Sequence, residues 1–412
     1  MIRRPPDSLR IALVCDWYAP RVGGIETHVG ALAQQLAAAG HAVDALTATP
    51  HACRGAGAAA AVGVVRLDVP LLPGVEVTPA LGRAARALRA ALRDGAYDLV
   101  HCHVSVFAPL AMLAAREAGA LGIPCVVTHH SVLGGATRAF AAADRVLGWS
   151  RWGALHTAVS PRVAAEVQAA APALDVRVLP NAIHPDRWRT VRGRGRVDDE
   201  VRVVSAMRLA RRKRPLALIE AVAAVVAALP PGRRLRVRIA GDGPQRPAVE
   251  RAVRRAGLQE VVTLAGWQSP ARLRALYADA DAFVLPSLLE SFGLAALEAR
   301  CAGLPVLAMR DAGPAGFVRH EVEGLLAADD ADLAAQLLRL VTDDRLRTAI
   351  ARHNRATRPA ETWDAVLAEH EAVYAAASAA VRAGLGAPVR APLLRGPFSA
   401  LQAGPARARV RR

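Results

Sequence analysis

Short runs rich in valine, leucine and isoleucine alternate with alanine-rich helical stretches along this chain, and that alternation leaves few folds open. RIALVCD (10–16), HAVDALT (41–47), DLVHCH (98–103), PCVVT (124–128) and LHTAVS (155–160) read as strands, with helices such as HVGALAQQLAAAG (28–40) between them. Strands that alternate with helices build parallel sheets wound on both faces. The rhythm stops at LPNAIHPDRWRTVRGRGRVDDE (179–200), a stretch rich in proline, glycine and charge. It restarts with VRVVSAM (201–207), LRVRIAGDG (235–243), VVTLAG (261–266), DAFVLPS (281–287) and LPVLAM (304–309). The expected fold is therefore α/β, with two Rossmann-like doubly wound domains over residues 1–182 and 183–375. Their ligand belongs in the cleft outside the carboxyl ends of the strands. A chain of 412 residues also exceeds what one core supports. The last helix is expected near 361–384, and 376–412 is read as its end followed by a basic, aperiodic, flexible tail.

The formal net charge of +17 invites a nucleic-acid or anionic-membrane reading. No recognition motif or aromatic platform accompanies the arginines, so no nucleic-acid partner is expected, and an anionic lipid surface or a phosphate-bearing substrate accounts for the charge at least as well. In GRAARALRAALRD, Arg83, Arg86, Arg89 and Arg93 recur at helical spacing, which gives either a basic membrane-facing surface or a solvated one. The five cysteines are scattered without CxxC spacing, which excludes a disulfide framework and a zinc site and places the chain in a reducing compartment. Apolar stretches are broken by Arg116 and Glu117 or by Glu220, and the first ten residues do not read as a signal peptide. The expectation is a cytoplasmic protein, peripheral on the inner face of a membrane.

Motifs cluster at strand ends. In ESFGLAALEA, Glu290 precedes Phe292, Gly293, Leu294 and Ala295 at a helix start, where free amides suit a phosphate, and Glu298 follows inside the helix, placed to accept from a ribose diol. A dipole partner and a solvated helix face are the plainer alternatives for the two glutamates. SAMRLARRKRP puts Arg208 after one strand and Lys213 five residues on, two cations able to neutralise a departing diphosphate, whereas Arg211, Arg212 and Arg214 read as a solvated basic loop. Gly241 opens the tight turn GDGP. Gly23 and Gly24 follow the first strand and either let backbone approach a ligand or form a plain turn. His101 and His103 are read as facing opposite sides of their strand, with His103 either lining the cleft or satisfied in the core. Of the adjacent His129 and His130 in THHS, at most one should reach the cleft.

Together GGIETHV, HCH, THHS, AVS at 158–160, LPNAIHP, Arg208 with Lys213, GDGP and the paired glutamates resemble, in order and spacing, family 4 of the retaining nucleotide-sugar glycosyltransferases, over residues 10 to 375. The resemblance implies the GT-B fold and transfer from a nucleotide-diphosphate sugar of the UDP-N-acetylglucosamine, UDP-glucose or GDP-mannose type to a lipid-linked, glycan or small-molecule acceptor. It implies that Glu298 holds the ribose, that Glu290 contacts sugar hydroxyls, and that Phe292, Gly293, Leu294 and Ala295 present amides to the diphosphate and sugar. Arg208 and Lys213 would bind the departing phosphates, with Gly241 in the same donor site. The family pattern Thr-x-His selects His130 for the sugar side of the cleft. Gly23 and Gly24 would close over the phosphates and acceptor, beside Glu26, His28 and His103 as acceptor contacts. No metal or other cofactor is implied, because Arg208 and Lys213 stand where other transferases need a cation. Within the family, HCHVSVFAPLAMLAAREAGALGIPCVVTHHSVLGG is most similar to the branch that adds N-acetylglucosamine to phosphatidylinositol. Departures from that branch are His129 in place of aspartate, Ala206-Met207 in place of a smaller pair, and Ala182 in place of glycine. The competing readings are a phosphorylase or epimerase on the same fold, for which no separate cofactor lysine is in place, and a non-catalytic basic binding module.

Overall fold

A computed structural model describes residues 8–21, 23–50, 62–72, 77–190 and 199–384. Cys53, residues 191–198 of the 179–200 segment and the basic tail from residue 385 lie outside them. Seven strands form the first sheet: β1 (Arg10–Cys15), β2 (Ala42–Thr47), β3 (Val62–Arg66), β4 (Leu99–Val104), β5 (Cys125–His129), β6 (Leu155–Ala158) and β7 (Val176–Val178). Six form the second: β8 (Glu200–Ala206), β9 (Arg234–Ala240), β10 (Val262–Gly266), β11 (Ala282–Leu285), β12 (Val306–Met309) and β13 (Gly324–Ala327). The spatial orders are β3-β2-β1-β4-β5-β6-β7 and β10-β9-β8-β11-β12-β13, and the pairings are parallel. The fold is thus two Rossmann-like doubly wound domains. Central strands β4, β5, β11 and β12 are buried at every position, and β11 and β12 accordingly read as unbroken apolar runs rather than alternating ones, whereas β4 and β5 bury histidines and a threonine among their apolar residues.

Strands β3, β7 and β13 were not expected. Each is short and lies at or near a sheet edge, so its residues carry little periodic signal.

Helices cover both faces. In the helix Leu81–Gly95, Ala84, Leu88 and Leu92 recur every fourth residue and are buried, leaving Arg83, Arg86, Arg89 and Arg93 outward. The last helix, Trp363–Arg382, follows the second sheet in the chain yet packs on the first: Trp363, Val366, Val373, Tyr374 and Ala377 share a core with Ile11, Leu13, Val29, Leu32 and Leu36. The chain crosses back where Ile183 bridges to Thr362, with the Ile183 amide donating to the Glu361 carbonyl at 2.9 Å. Among the described residues no helix is long and apolar enough to cross a membrane.

Candidate active site

Each sheet reverses its winding once, between β8 and β11 in the second and between β1 and β4 in the first, and the crevice at the carboxyl ends of such a pair is where ligands seat. In the second sheet, Arg208 follows β8 and Glu290 follows β11. The loop after β8 is zipped to the one after β9: the Met207 amide donates to Ala240 O at 3.0 Å, Leu209 to Asp242 O at 2.9 Å and Gln245 to Leu209 O at 2.8 Å. This contact requires Gly241, whose φ is +129° and where a Cβ would fall 1.8 Å from the Met207 carbonyl oxygen. Arg208 is left exposed, without an ion-pair partner among the described residues.

Lys213 Nζ lies 2.5 Å from Glu290 Oε2, with the two side chains only 18% and 12% exposed. Lys213 is also the single lysine among the 53 lysines and arginines of the chain, a sharper signal than its spacing from Arg208. A lysine is a compact point charge, whereas arginine is a planar fork, so the exception marks a place where the difference matters. Arg211 and Arg212 are exposed as expected, but Arg214 does not belong to a solvated loop. Its guanidinium donates to Pro286 O at 3.1 Å and pairs with Asp330, fixing the Lys213 loop against the end of β11.

Gly293 caps the helix Leu294–Cys301 at φ +95°, and a Cβ there would meet Pro314 Cγ at 2.6 Å. The amides of Phe292, Gly293, Leu294 and Ala295 donate to no acceptor among the described residues, as a helix start allows. The Phe292 ring itself is buried against Phe317 at 5.3 Å, so only its backbone faces the crevice. Glu298, one turn further, is not on a solvated face. Burial pushes its carboxyl up to about 8, a rise moderated by the nearby Tyr277 hydroxyl, which donates to Ala295 O at 3.3 Å.

On the first sheet, Gly23 caps the helix Gly24–Ala38, and a Cβ on it would collide with the Glu26 carboxylate, which stands 3.6 Å from Arg21. His28 points inward from the same helix and stacks on Trp363 at 5.5 Å. His101 and His103 do not face opposite sides. Residues two apart on a strand share a face, and the two rings sit 4.1 Å apart. His101 is fully committed, with Nδ1 2.9 Å from the Tyr374 hydroxyl and Nε2 2.7 Å from Thr128 Oγ1. His103 Nδ1 lies 3.0 Å from His130 Nε2, whose ring is 5.6 Å from His28. His129 turns the other way and pairs with His156 at 3.1 Å. Burial holds His28 down to about 3 and pushes His101, His103 and His130 well below the usual imidazole range, so the group is neutral at pH 7.

Two further residues were not expected. Asp16, at the end of β1, accepts from the Leu110 and Ala111 amides at 3.0 and 3.2 Å and anchors the helix Pro109–Leu121, with burial raising its carboxyl to about 6. An aspartate ending the first strand was the available signal. Ser291 Oγ accepts from the Val132 amide at 3.1 Å, so the loop after His130 touches the loop carrying Glu290. That contact ties the loop after His130 in one domain to the loop carrying Glu290 in the other, and no local pattern announces it. Among the described residues no group of three or more histidine, cysteine or carboxylate side chains could hold a metal ion.

Comparison with known proteins gives this geometry a family. Residues 22–187 match the model described as Glycosyltransferase Family 4, and 186–357 match that of Glycosyl transferases group 1. The chain is 31% identical over 309 residues to the D-inositol 3-phosphate glycosyltransferase of Actinosynnema mirum, covering 68% of this chain and 73% of that one. It is 26% identical over 376 residues to one of the subunits of the phosphatidylinositol N-acetylglucosaminyltransferase of Arabidopsis thaliana, covering 90% and 82%. Similar solved structures include the sucrose-phosphate synthase of Thermosynechococcus elongatus, with a TM-score of 0.70 at 22% identity over 90% of this chain and 100% of that one. HepE of Anabaena in complex with UDP-glucose gives 0.63 at 18% identity over 92% and 99%.

Proposed function

This chain belongs to the group 1 and family 4 glycosyltransferases, and we propose that within them it is a retaining enzyme that uses a nucleoside-diphosphate sugar and needs no metal ion. The observation that carries this reading is the convergence, at one strand-end crevice, of Arg208, the Lys213–Glu290 pair and the four free amides from Phe292 to Ala295. Positive groups and oriented amides fixed before reaction stabilise the charge that develops as a diphosphate leaves. Arg208 and Lys213 take the phosphates, and Glu290 accepts from hydroxyls of the sugar. Glu298 holds the ribose, and Gly241 lets the neighbouring backbone close on the nucleotide. His130 faces the sugar, Gly23 and Gly24 close over the phosphates and acceptor, and Glu26 and His28 stand on the acceptor side. The bond from the anomeric carbon to the phosphate oxygen breaks while the acceptor oxygen bonds that carbon on the same face. The acceptor proton passes to the leaving phosphate, so neither glutamate serves as a nucleophile.

Two relatives are named for phosphatidylinositol and for D-inositol 3-phosphate, which makes an inositol phosphate, free or lipid-borne, the first acceptor to try. Purified protein is offered UDP-glucose, UDP-N-acetylglucosamine and GDP-mannose with EDTA present, reading nucleotide release and the anomeric form of the product. One donor turned over with retained configuration supports the reading, and release that stops with EDTA removes its metal-free part. For the basic helix Leu81–Gly95, an anionic membrane is favoured by exposed Leu81 beside Arg86, Arg93 and Arg83, the last paired only with fully exposed Asp68 at 3.3 Å, whereas Arg89 is spent on buried Glu117 at 2.6 Å. Reversing Arg83, Arg86 and Arg93 to glutamate is expected to lower binding to phosphatidylserine vesicles at least about 10-fold, each charge contributing about 1 kcal/mol. Unchanged binding would remove the membrane surface from the proposal.

A further inference from the structure

The tautomer of His130 decides whether its second ring nitrogen, Nδ1, gives or takes a hydrogen bond. His130 Nε2 and His103 Nδ1 are 3.0 Å apart, a separation that calls for one proton between them. Burial keeps both rings neutral, so each carries one N–H, and there are two ways to place it. If His130 donates from Nε2, His103 must carry its own N–H on Nε2. That nitrogen is buried with no hydrogen-bond partner among the described residues, and the arrangement strands a donor there. If His103 donates from Nδ1 instead, its Nε2 is bare and only an acceptor goes unused. Orphaned buried donors are rarer than under-used acceptors, so the second arrangement wins. His101 cannot substitute, since both of its nitrogens already have partners.

We propose that His103 is a positioning residue that donates from Nδ1 to His130 Nε2 and fixes His130 as the Nδ1–H tautomer, making it a hydrogen-bond donor and not a base. A donor N–H suits a sugar hydroxyl oxygen, and a ring whose Nε2 is occupied does not compete with the leaving phosphate for the acceptor's proton. What the N–H meets rests on the function proposed above, whereas the tautomer itself does not.

The test is nitrogen-15 NMR of the full chain labelled at histidine, at neutral pH, with His130→Gln to identify the His130 signals. The wild type is expected to show the Nδ1–H pattern at His130. His103→Leu should convert it toward the Nε2–H form common in water, and His103→Asn, whose amide can still donate, should preserve it. An Nε2–H pattern in the wild type, or one unmoved by His103→Leu, overturns the proposal, and a merely structural His103 would lower stability without changing the pattern. In turnover, His103→Leu is expected to lose about 10- to 100-fold in kcat at nearly constant donor KM, as for other groups that orient a functional histidine, with His103→Asn within about 3-fold of wild type. Wild-type protein that turns over no nucleotide sugar would sink the proposed function, while the NMR result would still decide the tautomer.

Discussion

Glu290 neutralises Lys213. Under the proposed function a diphosphate draws the ammonium away, and that exchange frees Glu290 to accept from the sugar. Glu290→Gln keeps the shape and removes the competing charge. It is therefore expected to tighten binding of UDP or GDP alone by about 5- to 10-fold while lowering sugar transfer by roughly 100-fold or more. Calorimetry with the bare nucleotide separates the two effects, and an unchanged Kd would show that the pair does not compete with phosphate. Because Lys213 is the chain's only lysine, an amine-directed reagent has one side chain to find. Inactivation that UDP or GDP prevents would place the nucleotide there, whereas full activity after quantitative labelling of Lys213 would remove it from the site.

Elements differ in how openly the sequence announced them. Runs rich in valine, leucine and isoleucine marked the buried central strands, and clustered Gly, Glu and Arg at their ends marked the strand-end loops that bring Arg208, Lys213 and Glu290 to one crevice. The strand pair His101 and His103 was misread because the alternation of a strand was applied to residues two apart, which share a face. Short edge strands, the anchoring Asp16, the role of Arg214 and the Val132–Ser291 contact were not legible, since each depends on a partner far along the chain. Glycines show the same division. Gly293 is demanded by its backbone and by Pro314, so Gly293→Ala should cost about 1–3 kcal/mol in denaturant unfolding. Gly24 begins a helix with nothing within 4 Å of an added Cβ, so the fold gives no reason for glycine there. Gly24→Ala is expected to leave stability unchanged or raise it by up to about 1 kcal/mol. The same change should weaken donor or acceptor binding, and wild-type kinetics would show that the position serves neither.

At the scale of the whole molecule, acid is the condition that tests the core. Among the described residues seven histidines are buried: His28, His101, His103, His129, His130, His156 and His370. Burial lowers the folded pKa of each, to about 3 for His28 and about 4 for His156 and His370, so below the ordinary imidazole value the unfolded chain takes up protons first. Their stabilisation is complete above about pH 6.5 and is lost as pH falls, at about 1.4 kcal/mol per group per pH unit. Seven such groups over one or two units rival the whole stability of a typical domain, about 5–15 kcal/mol. Urea midpoints should therefore fall steeply between about pH 6.5 and 5, and a flat profile there would contradict neutral burial of the cluster.

The return of the chain's last helix to the first sheet has a consequence for engineering. The second Rossmann unit is an insertion: it leaves the first unit near Ile183 and comes back at Thr362, and these two residues are bridged. A cut in the middle of the chain would part the first unit from the helix that carries Tyr374 onto His101. The portable cassette is instead the continuous block between those two seams, whose ends already meet. A transplant of the second unit between relatives would splice there, leaving both pieces of the recipient's first unit in place.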